Sequence, residues 1–397
     1  MKIAYLGRYP PAECGIAEYT WFLVEEMRRV SGVEIVVLGN EDVPREAAFS
    51  DNVRVLRVFR SASSDYSRVL EALREIRPDI LHIQHDYSFF PQSIEFLELL
   101  RRCREMGIRI VVTMHTVKAP TGIARAVAGE TTFSEGARQD FELIMFQRKL
   151  VELSDAVIVH SYLQEHELWI QGVDIEKVVI VPHGTLINPH ISRDRRAVLE
   201  ELRRAGIDLG EGMVISLPGF VRPDKGLDIA LKAFDIVSRR IDAVLVMGGA
   251  PQGAGSEKLR DALAQVAGRR SRVVFVDRFI DRDTMLKILA ASHVVVLPYR
   301  EVRGLIGVSG VLHLAMGSFR PMVCTRVPRL VEYCERVPHL CARQGDFMEF
   351  SYKLMNLLEN LENYRRDLEP VWRYALDTSW SRVARKHVEV YESVLKR

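Results

Sequence analysis

The sequence is short of cysteine, of net charge and of long apolar runs. Its five cysteines (Cys14, Cys103, Cys324, Cys334, Cys341) are odd in number, scattered and never spaced Cys-x-x-Cys. Neither a disulfide framework nor a zinc site is therefore expected, and a reducing cytoplasm fits best. Fifty-five basic residues against 53 acidic ones leave a formal charge of +2, which gives no global reason to invoke nucleic acid. No apolar run reaches the roughly 18 residues of a membrane span, and the opening Met1-Lys2-Ile3-Ala4-Tyr5-Leu6 is too short for the apolar region of an export signal. The expected location is the cytoplasm. The arginine-rich stretches Arg101-Arg102-Cys103-Arg104 and Arg193-Asp194-Arg195-Arg196 leave peripheral contact with the inner face of a membrane open, although solvated helix faces are the commoner explanation. No Gly-x-Gly-x-x-Gly follows the first apolar run, which argues against a dehydrogenase.

What is present is an ordinary globular composition, 48% hydrophobic and 27% charged, in 397 residues, more than one growing core accommodates. Short apolar runs alternate with stretches of helical period, the pattern of parallel strands joined by crossover helices. Strands are predicted at 2–6, 34–38, 53–58, 80–84, 109–114, 156–159 and 178–181, then at 213–217, 243–247, 273–276, 293–297 and 321–324. Helices are predicted at 16–29, 66–76, 227–239 and 283–290, among others. The fold class is thus α/β, with two doubly wound Rossmann-like sheets. The divisions expected are a first domain over 1–190, a polar linker over 191–212, and a second domain over 213–376.

Ligands of open parallel sheets bind beyond the carboxyl ends of the strands. Residues just after the predicted strands are Gly7 to Gly15, His85-Asp86, His115-Thr116, His160-Ser161 and His183-Gly184, then Gly219 to Gly226, Gly248-Gly249 and Ser309-Gly310. The segment Gly219-Phe220-Val221-Arg222-Pro223-Asp224-Lys225-Gly226 follows a strand and opens a helix. Glycine permits close backbone approach, Arg222 offers a planar fork, Lys225 a point charge and the helix its N-terminal dipole, all suited to a diphosphate. The bland alternative is a solvated turn.

That segment looks like the basic loop of group-1 retaining glycosyltransferases of the GT-B architecture. Arg8-Tyr9-Pro10-Pro11-Ala12-Glu13-Cys14-Gly15-Ile16-Ala17 resembles a subset of the family with a Tyr-Pro-Pro, Cys-Gly-Ile-Ala signature. Further matches are His82-Ile83-Gln84-His85-Asp86-Tyr87, Val112-Thr113-Met114-His115-Thr116, Val181-Pro182-His183-Gly184 and Ser309-Gly310-Val311-Leu312. Trp380-Ser381-Arg382-Val383-Ala384 with Val390-Tyr391 is similar to the family's closing helix, so residues 377–397 are expected to return to the first domain.

The resemblance implies two domains facing across a cleft, a nucleotide-sugar donor, a carbohydrate or lipid-linked acceptor, no cofactor and no metal. It implies that Arg222 and Lys225 neutralise the donor diphosphate, with the amides of Ser309, Gly310 and Val311 capping the distal phosphate and Gly15 and Gly219 allowing close approach. Ser309 read alone is equally a plain helix N-cap, and Gly15 equally a tight turn. His115 is the best candidate for a catalytic contact near the sugar, against the ordinary reading of a structural histidine. His85, Asp86 and Tyr87 are candidates for the acceptor.

One departure concerns the two glutamates, seven residues apart, that most members carry around the second phosphate loop. Here the later position holds His313 or Leu314; Glu301 stands in for the earlier acid, and Glu332 is a second candidate near the nucleotide. Asp281-Arg282-Asp283 has the form of a manganese-binding pair but reads better as a helix N-cap. Glu165-His166-Glu167 reads as solvated surface. Two other function classes stay open: a nucleotide-sugar epimerase or a phosphorylase of the same plan, and a non-catalytic nucleotide-sugar-binding protein.

Overall fold

The described residues, 1–43 and 53–397 of a computed structural model, divide into two α/β units, each with its own parallel sheet. The first unit comprises Met1–Gly184, Arg303–Val308 and Trp380–Arg397; the second comprises Thr185–Val302 and Ser309–Ser379. No helix among the described residues is long and apolar enough to cross a membrane.

The first sheet uses β1 (Lys2–Leu6), β2 (Glu34–Asn40), β3 (Arg54–Phe59), β4 (Ile80–His85), β5 (Arg109–Met114), β7 (Ala156–Val159) and β8 (Val178–Ile180), and β6 (Thr116–Lys118) lies outside it. Its order is β3-β2-β1-β4-β5-β7-β8, parallel throughout, with Ile3 of β1 opposite Ile35 on one side and Ile80 on the other. The second sheet uses β9 (Met213–Pro218), β10 (Ala243–Gly248), β11 (Val273–Val276), β12 (Val294–Leu297), β14 (Met322–Thr325) and β15 (Cys341–Ala342), in the order β11-β10-β9-β12-β14-β15. In each unit the first strand is central and the order reverses beside it, between β1 and β4 or between β9 and β12. These reversals are the switch points at which open parallel sheets leave a crevice.

The central strands are buried on both faces, which is why they read as unbroken apolar runs rather than alternating ones. Strand β13 (Leu305–Gly307) pairs antiparallel with β6 inside the first unit. Thr116-Val117-Lys118 and Leu305-Ile306-Gly307 are too short and too mixed to stand out as apolar runs, and neither is among the predicted strands.

Three further departures have physical reasons. Between 191 and 212, where composition suggests a linker, the helix Arg195–Arg204 buries Val198 and Leu202 in the second core, two apolar positions four residues apart that its arginines mask. Cys334 and Cys341 form a disulfide, contrary to the expectation of none: the turns between Val331–Cys334 and β15 bring two cysteines seven positions apart together. Glu167 is buried, not solvated, and its carboxylate accepts a 2.7 Å bond from Gln171 Nε2 that offsets part of the lost hydration.

The final helix, Trp380–Lys396, completes the first unit. Tyr391 meets Tyr5 and His82 at 2.9 and 2.6 Å, and Trp380 packs over Gly184, where a Cβ would lie 2.3 Å from the indole. Only glycine fits beneath that ring.

Candidate functional site

In the second unit the chain leaves β9 through Gly219, whose φ of +122° disfavours any side chain. The loop is then pinned by backbone bonds, from Val221 N to Ala250 O and from Gln252 N to Val221 O, while the Val221 side chain is buried. Arg222 is extended, as a residue before proline should be, and Pro223 opens a single helical turn, Pro223–Lys225. Gly226 then turns left-handed at φ +66°, where a Cβ would lie 1.9 Å from the Pro298 carbonyl oxygen. The helix Leu227–Val237 starts there. The loop therefore crosses the end of β12, at the switch point of this sheet.

Several of the expected residues meet at this point. The Lys225 ammonium lies 3.8 Å from the centre of the Tyr299 ring, and Tyr299 Oη lies 3.3 Å from Ser309 Oγ. Ser309 caps the helix Gly310–Gly317, and Val311 in its first turn touches the space a Cβ on Gly219 would fill. The Asp224 carboxylate accepts a fork from Arg222, Nε at 2.8 Å and Nη2 at 3.2 Å, and a third bond from Arg329 Nη1 at 3.0 Å. Burial raises the Asp224 pKa, but the charges of Arg222 and Lys225, the Arg222 hydrogen bond and the Arg329 charge together hold it below the usual value. Lys225 is pushed down to about 7, first by burial and then by the Arg329 and Arg222 charges, with Asp224 opposing. A half-buried, electropositive recess flanked by a helix N-terminus is suited to an anion.

Arg329 and Tyr299 were missed from sequence. Both follow a strand, β14 and β12, so the strand-end rule that picked out Ser309 covers them too.

The candidate acids lie elsewhere. His313 and Glu332 face each other at 3.0 Å in the interior of the second unit, 1% and 7% exposed in their side chains. His313 Nδ1 is 2.7 Å from Thr185 Oγ1, and the other Glu332 oxygen accepts from Tyr374. Both carboxylate oxygens are thus engaged within the protein, and Leu314 stands half-buried beside them. Glu301 is exposed, its amide bound to Gln344.

In the first unit Gly15 opens the helix Gly15–Met27, capped by the Cys14 sulfur on Ala17 N, and a Cβ on Gly15 would meet nothing within 4 Å. One turn on, the buried Tyr19 ring is packed by His115, His160, His183 and Trp380 at centroid distances of 4.7, 5.2, 5.1 and 4.9 Å. His115 Nε2 lies 2.9 Å from Gln84 Oε1 and its Nδ1 3.3 Å from His160 Nε2. Burial, then the neighbouring histidines, hold its pKa well below the usual value, so the ring is neutral with both nitrogens engaged. Such a ring can orient a substrate but is poorly placed to take up a proton.

His85 is corrected as an acceptor contact. It is fully buried against Tyr87, Phe90, Phe96 and Phe146, with neither ring nitrogen hydrogen-bonded among the described residues, and burial lowers its pKa to about 4. Asp86 and Tyr87 are half-buried: Asp86 accepts from Thr116 Oγ1 and Ser88, the Tyr87 hydroxyl donates to Gln147 Oε1 at 2.9 Å, and Lys118 lies 4.1 Å from the Tyr87 ring. Asp281 caps the helix Arg282–Ala291 by accepting from Thr284 N, while Asp283 pairs with Lys287. Arg101 and Arg102 bind Glu98, and Arg193 binds Glu201.

Residues 14–185 match the family described as Glycosyltransferase Family 4, and residues 212–360 match Glycosyl transferases group 1. No curated protein sequence matches the chain. Among solved structures it is similar to HepE from Anabaena in complex with UDP-glucose, at 15% identity and a TM-score of 0.70, over 99% of this chain and 100% of that one. It is also similar to sucrose-phosphate synthase from Thermosynechococcus elongatus, at 17% identity and a TM-score of 0.73, over 100% of both chains. A third likeness is to WaaG, a glycosyltransferase involved in lipopolysaccharide biosynthesis, at 16% identity and a TM-score of 0.67, over 98% of this chain and 99% of that one. At such identities the likeness establishes architecture: the fold is GT-B, with two Rossmann-like units.

Proposed function

We propose that this glycosyltransferase, whose first half matches family 4 and whose second half matches group 1, moves a hexose from a nucleotide-diphosphate sugar to an acceptor hydroxyl, with retention of configuration and without a metal. The observation that carries this reading is the convergence of Arg222, Lys225, Gly219 and the Ser309-capped helix at the second unit's switch point. As the bond from the sugar's anomeric carbon to the diphosphate breaks, negative charge grows on the departing phosphate oxygen. The Arg222 and Lys225 cations, once turned and charged in the donor complex, and the amides of Gly310 and Val311 stabilise it. The acceptor oxygen forms the new bond, and its proton passes to the departing diphosphate. With the His115 ring engaged at both nitrogens, we assign that residue a contact with the hexose through its backbone or ring edge rather than the role of base.

We assign the acceptor, a carbohydrate or a lipid-linked one, to the first unit around Gly15, Asp86 and Tyr87. The open space over Gly15 and the half-buried Asp86 carboxylate support this. A second reading, a nucleotide-sugar-binding protein without transfer, is favoured by the internal pairing of His313 with Glu332. Incubation with a panel of nucleotide sugars and candidate acceptors, followed by product analysis, decides between them. Release of nucleoside diphosphate together with a new glycoside is expected; binding with neither product would leave only the second reading.

A further inference from the structure

We propose that Arg329 is a positioning residue for the donor site: by holding the Asp224 carboxylate it frees Arg222 to turn onto the diphosphate. The inference rests on the donor reading above and deepens it. In the structure Asp224 is shared, with Arg222 and Arg329 both donating to its Oδ2 and Arg222 alone reaching Oδ1. An Arg222 locked in that fork is spent on an internal acid, since a bidentate guanidinium–carboxylate pair is among the stronger polar contacts. Asp224 is mostly buried, with its side chain 10% exposed, and without Arg329 the withdrawal of Arg222 would leave it no hydrogen-bonded cation and only the nearby charge of Lys225. Arg329 removes that obstacle. Its own side chain is 18% exposed, on the turn Pro328–Leu330 that follows β14, and it reaches Asp224 at 3.0 Å.

The charge balance agrees. Arg222, Lys225 and Arg329 set against Asp224 leave two positive charges, matching the two negative charges of a sugar–nucleoside diphosphate. Without Arg329 the balance falls to one. Arg329 therefore acts on affinity through Asp224, and its removal should be reversible by neutralising that acid.

Inorganic pyrophosphate, which needs no knowledge of the base or sugar, is titrated calorimetrically against the full chain at fixed pH. Arg329→Met is expected to weaken binding about tenfold or more, the scale of losing one charge-assisted contact. Arg329→Met combined with Asp224→Asn should return to within about threefold of the unmodified protein, since no buried acid then competes for Arg222. Asp224→Asn alone, which does not depend on the Arg329 variant folding, should bind at least as tightly as the unmodified protein. Unchanged binding in Arg329→Met, or a double variant as weak as the single one, overturns the proposal. Lys225→Met distinguishes the two levels: if it leaves pyrophosphate binding unchanged, the donor reading itself is wrong, whereas a loss there with no effect at Arg329 removes only this inference.

Discussion

The Lys225 ammonium rests 3.8 Å from the centre of the Tyr299 ring, in a recess where it also faces Asp224, Arg222 and Arg329. Cation–π attraction does not offset the lost hydration, and the pKa falls from 10.5 to about 7. A diphosphate bound as proposed is expected to restore the charge, so that binding above neutral pH takes up a proton. Calorimetry with the nucleotide sugar that the panel identifies as donor, at pH 8 in buffers of different ionisation enthalpy, should show net proton uptake approaching one per site, absent in Lys225→Met. No uptake in the unmodified protein would contradict the assignment. The same shift acts oppositely on stability. The unfolded chain holds the extra proton between the two pKa values, so this group's contribution rises with pH through that window.

Arg222→Ala and Lys225→Ala should each weaken donor binding by roughly 1.5 to 3 kcal/mol, the range for a charge-assisted contact in a partly desolvated site. Dissociation constants for the donor and steady-state transfer rates check this. Near-normal values in both variants would sink the phosphate site.

Two glycines should respond in opposite ways. Gly226→Ala combines a left-handed backbone with a Cβ 1.9 Å from Pro298 O, so a loss of more than about 2 kcal/mol is expected in denaturant unfolding. Gly15→Val meets open space and should leave stability within about 1 kcal/mol while lowering transfer, because the added methyl groups occupy room assigned to the acceptor. Intact transfer in Gly15→Val would remove that assignment.

His85 makes the first unit acid-sensitive. Its folded pKa of about 4 lies below the unfolded 6.5, so its contribution to stability is complete above pH 6.5 and is lost as pH falls toward 4. His85→Phe keeps an aromatic ring among Tyr87, Phe90, Phe96 and Phe146, and should move the acid-unfolding midpoint to lower pH. An unmoved midpoint would mean that other groups set it.

The Cys334–Cys341 bond leaves Cys14, Cys103 and Cys324 as thiols. Alkylation under denaturing, non-reducing conditions followed by mass spectrometry should therefore count three modified cysteines. Cys341→Ser should cost about 2 kcal/mol, the loop-entropy scale for so short a ring. Five alkylated cysteines in unreduced protein would show that the bond does not form.

The two sheets were legible because doubly buried strands write themselves as apolar runs, and the turn over 219–226 because Gly219 and Gly226 are required by backbone geometry that sequence displays directly. Three things were not. Arg329 lies about a hundred residues beyond Asp224, and nothing local marks a long-range ion pair. His85 alternates with Gln84 along β4, and only the finished sheet shows that it is His85 that enters the aromatic core. Cys334 and Cys341 were read by count and scatter, whereas their pairing depends on the turns between them.

The return of Trp380–Arg397 to the first unit bears on how the chain is made. Tyr19 and Phe22 of the helix Gly15–Met27 pack against Trp380, and Tyr5 and His82 bond to Tyr391. During synthesis these partners emerge almost two hundred residues after Gly184, a delay on the order of 10–40 s at ordinary ribosomal rates. Through that interval the nascent first unit leaves Tyr19 and Phe22 without their Trp380 cover. A nonsense mutation near the terminus would make that absence permanent.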